Sequence, residues 1–501
     1  MRGKTKLVSF VLCAVFLLGF ALTANAQINW NVSSNPNEVT QYGVTELMGR
    51  VRLQVAANGT TTGSTITITY QGVTIKNGIG TGVTLGGTAA ALAAVSISQV
   101  VPTTGTGGQV ILSIAGGTPL TGATDEITLD GVRADVSTKS IATDVQASLS
   151  SAPSSANTFV NVSVVRVATV NKALSLTVAA SSSVFCLPAN NPSITLTEGF
   201  AGAFVQYDTS AAGTARPANP RTKYGANRNI RIHVVTSPLP TAVTLDWTAP
   251  VGGWPDDNGV GSHLELISQS TTGDDALFEY TTADQAHADA HAEVFTITPA
   301  LAYDPDTAEP GSATVQARLE PNDTPTSTEI PRFAHPYINS PADTFITVNK
   351  CTTNLLFTFL TNATGVGFDS GVAIANTSQD PYGTAPQHGT ITLYFYGTNA
   401  PAPLTTPDLA GGATWAASLS SIAPGFQGYV IAIAQFQFGH GFAFITGKYN
   451  TGSVYDVAEG YIASVIPDPT FTPLAGVAHR YAGPPQSTGV IPPSAGENLG
   501  Q

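Results

Sequence analysis

Short apolar runs parted by Gly, Pro, Asn and Asp recur along the chain, and most alternate apolar with polar residues at a period of two. In the first part these runs are Arg50–Val55, Thr65–Tyr70, Val110–Ile114, Phe159–Val165 and Leu174–Val178. Thr fills many of the alternate positions, as expected of a strand with one solvated face. Ile230–Val235, Ala242–Trp247, Leu264–Ile267, Ala276–Tyr280, Val294–Ile297 and Ala313–Ala317 continue the pattern at the spacing of an immunoglobulin-like sandwich. The clearest unit comes last, with Leu355–Phe359, Gly371–Asn376, Thr390–Tyr396, Tyr429–Ala434 and Phe442–Ile445 as its strands.

The pattern predicts an all-β protein of three successive antiparallel β-sandwich, immunoglobulin-like domains after a signal peptide. Its expected divisions are a signal peptide over 1–26, an N-terminal sandwich over 27–197 and an immunoglobulin-like sandwich over 198–319. A Pro-rich linker over 320–343, a C-terminal sandwich over 344–467 and a disordered tail over 468–501 follow. The linker rests on Pro321, Pro325, Pro331, Pro336 and Pro341, a density that resists both helix and central strand. The Cys…Trp…Cys signature of true immunoglobulin domains is missing, so the expectation concerns architecture alone.

The leader is read from Arg2, Lys4 and Lys6 ahead of an apolar core over 7–22, closed by Ala24-Asn25-Ala26. That is the build of a secretory signal with cleavage before Gln27. The apolar run is short and no stop-transfer charges follow it, so no membrane span is expected once the signal is removed. Losing those three positive charges takes the formal charge from -13 to -16. An acidic chain lacks the clustered Lys and Arg that nucleic-acid partners need. Charged residues make up only 11% of the chain, which fits an exported sheet protein better than a cytoplasmic enzyme.

Cys186 and Cys351 are the cysteines left after cleavage. In an exported protein they read as one disulfide, with two buried free thiols as the alternative. A bridge across so long a loop stabilises by roughly 5 kcal/mol at most.

The runs Cys351–Phe357, Phe368–Ser378 and Gly439–Phe444 resemble a C-terminal module that recurs in secreted multi-domain β-sandwich proteins of soil bacteria. The blocks Val44–Arg52 and Ala276–Ile297 are similar to upstream parts of such proteins. The resemblance implies secretion and a sandwich build over most of the mature chain, and its motifs are structural, with no activity attached. Members of that group often carry further cysteines in the third unit, which this chain lacks.

Candidate chemistry is sparse. Asp284, His287 and His291 fall at i, i+3 and i+7 if their segment is helical, and two imidazoles four residues apart can chelate one zinc. On a strand the two histidines would stand about 13 Å apart and share nothing. A solvated polar connection is the competing reading. Asp256-Asp257-Asn258-Gly259 and Asp304-Pro305-Asp306 offer oxygen ligands for calcium, but neither has the spacing of a D-x-D-x-D-G loop with a distal Glu. Ordinary turns explain both.

No G-x-S-x-G elbow and no phosphate-binding loop occurs; Gly78–Gly82 reads as a turn. Carboxylate pairs for glycoside cleavage can be drawn from Asp256, Asp257, Glu265, Asp274, Asp275 and Glu279, as from any acidic chain. Trp247, Trp254, Trp415, Tyr394 and Tyr396 would form a sugar-stacking platform if exposed, and core packing is the commoner fate of strand aromatics. His440, between Gly439 and Gly441, reads as a bulge rather than a catalytic base.

The sequence therefore predicts a secreted, non-enzymatic cell-surface or matrix protein, structural or adhesive. Its expected partners are an extracellular surface, a polysaccharide or a protein. A carbohydrate-binding module array is the first alternative, and a secreted hydrolase or metalloenzyme the second. The first would need exposed aromatics or calcium loops, and the second would centre on zinc at His287 and His291.

Overall fold

The computed structural model of the chain describes residues 27–185, 188–204, 230–249, 251–252, 263–281, 291–304, 306–321, 332–334, 337–338, 341–448 and 456–466. The expected signal peptide and tail lie outside these residues. The architecture is all-β, with α-helix confined to Ala89–Ala94 and Leu419–Ile422 among the described residues. No helix among them is long and apolar enough to cross a membrane.

Three separate apolar cores organise the strands. The first lies between a five-stranded and a six-stranded sheet and is filled by alternate residues such as Val51, Leu53 and Val55 from one and Ile66, Ile68 and Tyr70 from the other. Their polar neighbours face out, and Arg50 and Arg52 reach across to Asp130 and Glu126 at 2.7 and 2.6 Å. Each sheet also gains one parallel edge. Ile28–Asn35 runs parallel to Asn157–Phe159, and Asn37–Thr40 parallel to Val164–Asn171.

The second core packs a six-stranded sheet against a four-stranded one. Trp247 anchors it, stacked on Phe345 at 5.9 Å and donating its indole N–H to the Gly273 carbonyl at 2.7 Å. The third core lies between a five-stranded sheet, ordered Leu404–Thr405, Ile391–Thr398, Gln427–Ala434, Thr353–Thr361, Ser464–Ile466, and a four-stranded sheet, ordered Thr414–Ser418, Asp369–Asn376, Gly439–Lys448, Asp456–Ile462.

The strand pairings correct the expected divisions. Leu174–Ala179 and Ser193–Glu198, placed by spacing in the N-terminal unit, pair with each other and with Val294–Ile297 and fill the second core. Asp343–Asn349, expected to open the third unit, instead lies between Ser181–Val184 and Gly311–Pro321 in the second. The Pro-rich stretch is not a free spacer where it is described: Phe333 is buried in the second core, and Ile338 N–H donates to the Ala317 carbonyl at 2.9 Å. Local alternation marks a strand, but sheet membership depends on partners more than a hundred residues away.

Candidate functional site

In the third domain, Gly439–Lys448 is an interior strand of the four-stranded sheet, and it carries apolar residues at both parities. Gly441 and Ala443 face the core, while Phe442 and Phe444 face out, 44% and 42% exposed. The cause is the opposite sheet: the Phe357 ring stands 2.7 Å from where a β-carbon on Gly441 would lie. The space behind the strand is already full, so only the small residues fit inward.

The outward rings lie sideways over neighbouring glycines. Phe444 covers Gly371 and Phe442 covers Gly460, leaving no room for a β-carbon at either. This arrangement shields the glycine backbone that a strand otherwise leaves bare. Ile462, paired with Phe442, extends the apolar surface and is 66% exposed.

Around them the outward positions are Ala373 and Ala375, His440, Thr414, Ala416 and Ser418, and Ala458, matched strand to strand by the registers Ala375↔His440, Ala373↔Ala416, Gly371↔Ser418 and Thr446↔Ala458. Asp369 stands at one end, and its carboxylate is taken up by Asn362 Nδ2 and by the Ser370 and Ser420 N–H groups at 2.9–3.1 Å. Between Gly371 and Ala375 and across the strands paired to it, no outward side chain is Asp, Glu, Lys or Arg. In a chain with 33 acidic residues, the result is a surface of small residues with two aromatic rings and one imidazole, bare of Asp, Glu, Lys and Arg.

The other outer face of the same domain also shows aromatics. Tyr396 and Tyr429 are register partners and stack with centroids 5.0 Å apart and planes at 16°. Tyr394, Ile431 and Ile433 continue this face half-buried. Phe359 is exposed where the register of its strand shifts, and its backbone is held by the Tyr461 hydroxyl, which donates to the carbonyl at 2.6 Å.

The predicted metal set is only partly within view. Asp284 and His287 lie outside the described residues, and His291 sits on a half-exposed bend. Among the described residues, no group of three His, Cys, Asp or Glu side chains could hold a metal ion. Asp256–Gly259 and Trp254 also lie outside. Asp304 closes an ordinary turn, its carboxylate accepting the Asp306 N–H at 3.0 Å. Cys351 is disulfide-bonded, and Cys186 lies outside the described residues. His440 is not at a bulge: the register runs unbroken from Asp369↔Thr446 to Asn376↔Gly439, and the irregularity is one residue upstream of the strand, at Phe438 with φ 61°. Trp247 is core, Trp415 packs against the third core, and of the tyrosines read from sequence only Tyr396 is well exposed.

Of the candidate carboxylates of the second domain, Glu265, Asp275 and Glu279 are engaged by His or Arg, Asp274 is held by the Ser270 and Thr272 hydroxyls, and Asp256 and Asp257 lie outside the described residues. His233 bonds Glu320 through Nδ1 at 2.9 Å and Asp275 through Nε2 at 2.6 Å, and Arg318 Nε donates to the same Glu320 oxygen at 2.8 Å. The Glu320 bond, reinforced by that to Asp275, raises the imidazole pKa above its ordinary value. The His233 bond, with the charge of His233 and the Arg318 bond, draws Glu320 down to about 2. Arg231 pairs with Glu279 at 2.8 Å one step along. The network ties three strands together, and no nucleophile stands in it.

A second acidic pair is buried. Glu198 accepts the Phe204 N–H at 2.6 Å and the Glu293 N–H at 3.1 Å, and the Tyr280 hydroxyl donates to Glu293 at 2.9 Å. Burial pushes the Glu198 pKa up to about 8, and the charge of Glu293 acts in the same sense.

The outward phenylalanines were not singled out by sequence reasoning. The signal present was Gly and Ala at one parity against Phe at the other, which marks the two faces without saying which is inside.

No family model matches the chain, and no curated protein matches it. Among solved structures, it is similar to FdeC, a broadly conserved Escherichia coli adhesin, at 12% identity over 86% of this chain and 95% of that one, with a TM-score of 0.17. The Actinomyces fimbrial adhesin FimA matches at 11% identity over 58% and 96%, TM-score 0.17. The partial N-terminal region of an enterococcal surface protein matches at 11% over 64% and 94%, TM-score 0.16. At such scores these likenesses carry no argument about this chain, and its all-β architecture rests on its own strands.

Proposed function

We propose that this chain is a secreted, non-enzymatic surface or matrix protein that adheres through the outer faces of its C-terminal sandwich. One observation carries the proposal: the outward face around Phe442 and Phe444, which is bare of Asp, Glu, Lys and Arg. Covering exposed aromatic surface is favourable by roughly 25 cal/mol per Å², and a face bare of Asp, Glu, Lys and Arg loses little ionic hydration when it is covered. The leader at residues 1–26 supports delivery outside the cell. The stacked Tyr396–Tyr429 pair favours a second reading, in which the same domain binds carbohydrate by ring stacking.

The test is retention of purified residues 27–501 on whole cells, cell-wall fragments and insoluble polysaccharides, with the double variant F442S/F444S beside it. Saturable retention that the double variant loses is the expected result. Retention on none of the surfaces, or equal retention of both proteins, overturns the proposal. Retention on polysaccharide alone, lost in Tyr396→Ala and Tyr429→Ala, selects the second reading.

A further inference from the structure

A cavity of about 250 Å³ opens at the seam between the first two domains. Its floor is apolar and buried, made of Ala173, Leu174, Leu319 and Phe333. Exposed Ile141 and Lys172 stand at its mouth.

The wall is built by hydrogen bonds rather than by chance contact. Gly43 and Phe333 form a β-bridge between the domains, Val44 N–H donates to the Arg332 carbonyl at 2.6 Å, and Ala334 N–H donates to the Tyr42 carbonyl at 2.9 Å. Tyr42 adopts φ 67°, a left-handed conformation that a bulky residue rarely takes without constraint. Lys172 pairs with no carboxylate among the described residues, and Glu38, on the strand beside Asn171, is engaged by the Asn171 amide at 3.3 Å. An apolar recess thus meets a cation that has no carboxylate partner among the described residues, in a chain whose charge is strongly negative.

We propose that this cavity binds an amphiphilic monocarboxylate, with its apolar part on Leu174, Leu319 and Phe333 and its carboxylate at Lys172 Nζ. The volume equals roughly eight water-sized spaces, at the small end of ligand pockets, and suits an aliphatic or aromatic acid of about eight carbons rather than a long-chain lipid. Lys172 supplies the sign of the partner, since a cationic or neutral head group gains nothing there. Because the walls come from two domains, the bound acid also stiffens their junction and raises the unfolding temperature by mass action.

The experiment is calorimetric titration of the full mature chain with octanoate, and with 1-octanol as the uncharged comparator. Lys172→Glu and Ile141→Asp are both exposed positions, so each variant keeps the fold, which circular dichroism checks. The expected result is saturable one-to-one binding of octanoate, weakened about tenfold or more by Lys172→Glu, with octanol unaffected by that change. Ile141→Asp is expected to weaken both ligands. No saturable octanoate binding at millimolar concentration overturns the proposal, as does equal affinity in the wild type and Lys172→Glu. Octanol binding as tightly as octanoate overturns the assignment of the carboxylate to Lys172.

Discussion

The ring of Phe357 occupies the space into which a side chain at Gly441 would point. That contact across the third core forces Gly441 and Ala443 inward and places Phe442 and Phe444 on the surface. A packing constraint in one sheet therefore sets the chemistry of the outside of the other.

Substitution at the two kinds of glycine separates the roles. Gly441→Val drives a branched side chain into Phe357, which is fully buried, and is expected to cost about 2 kcal/mol or more. Gly371→Ala meets only the far end of the exposed Phe444 side chain, which can swing away, so its cost is expected below about 1 kcal/mol. Thermal unfolding reads the first difference. The surface-retention assay reads the second, because Gly371→Ala lifts one ring off the sheet.

Adhesion through the outward face has a signature in salt. Retention is expected to change less than about twofold between roughly 0.05 and 0.5 M sodium chloride, since the face around Phe442 and Phe444 offers no Asp, Glu, Lys or Arg to be screened. A steep loss over that range would assign the contact to charged residues elsewhere.

The buried Glu198 makes stability fall with rising pH. Its folded pKa, about 8, lies above the ordinary 4.5, so the folded state holds a proton that the unfolded chain releases. Stability from this group is whole below pH 4.5 and is lost progressively as pH climbs to about 8. The loss is on the order of 5 kcal/mol at most over that interval. Unfolding of the second domain is expected at lower denaturant at pH 8 than at pH 5, with Glu198→Gln flattening the difference.

The His233–Glu320 pair has the opposite limit on one side. The depressed Glu320 contributes stability above 4.5 that is lost as pH falls toward about 2, and the raised His233 contributes stability below 6.5 that is lost as pH rises through its folded value. The pair is therefore strongest between pH 4.5 and 6.5. A double-mutant cycle of His233→Gln and Glu320→Gln at pH 5.5 is expected to show a coupling of about 1 kcal/mol that shrinks in alkaline buffer.

The disulfide of Cys351 is expected to join Cys186. Val184 and Asn349 are register partners on parallel strands, and each cysteine follows its strand by two residues. Non-reducing peptide mapping should yield one linked peptide carrying both. Cys351→Ser is expected to cost roughly 2–4 kcal/mol, read in the unfolding of the second domain.

The sequence by itself determined the strands. The alternation at Arg50–Val55, Thr65–Tyr70 and Ile230–Val235, and the apolar runs at Leu355–Phe359, Gly371–Asn376 and Tyr429–Ala434, all lie within observed strands, because a period of two is a local property of each run. Only the tertiary structure decided which strands share a core. Leu174–Ala179 and Asp343–Asn349 read equally well on either side of their boundaries, and Phe159–Val165 divides between two strands in different sheets. It also decided the direction of Gly439–Lys448, where both faces are apolar and periodicity has no preference. The volume of Phe357 breaks that tie, and a residue 84 positions away cannot be seen from within the strand.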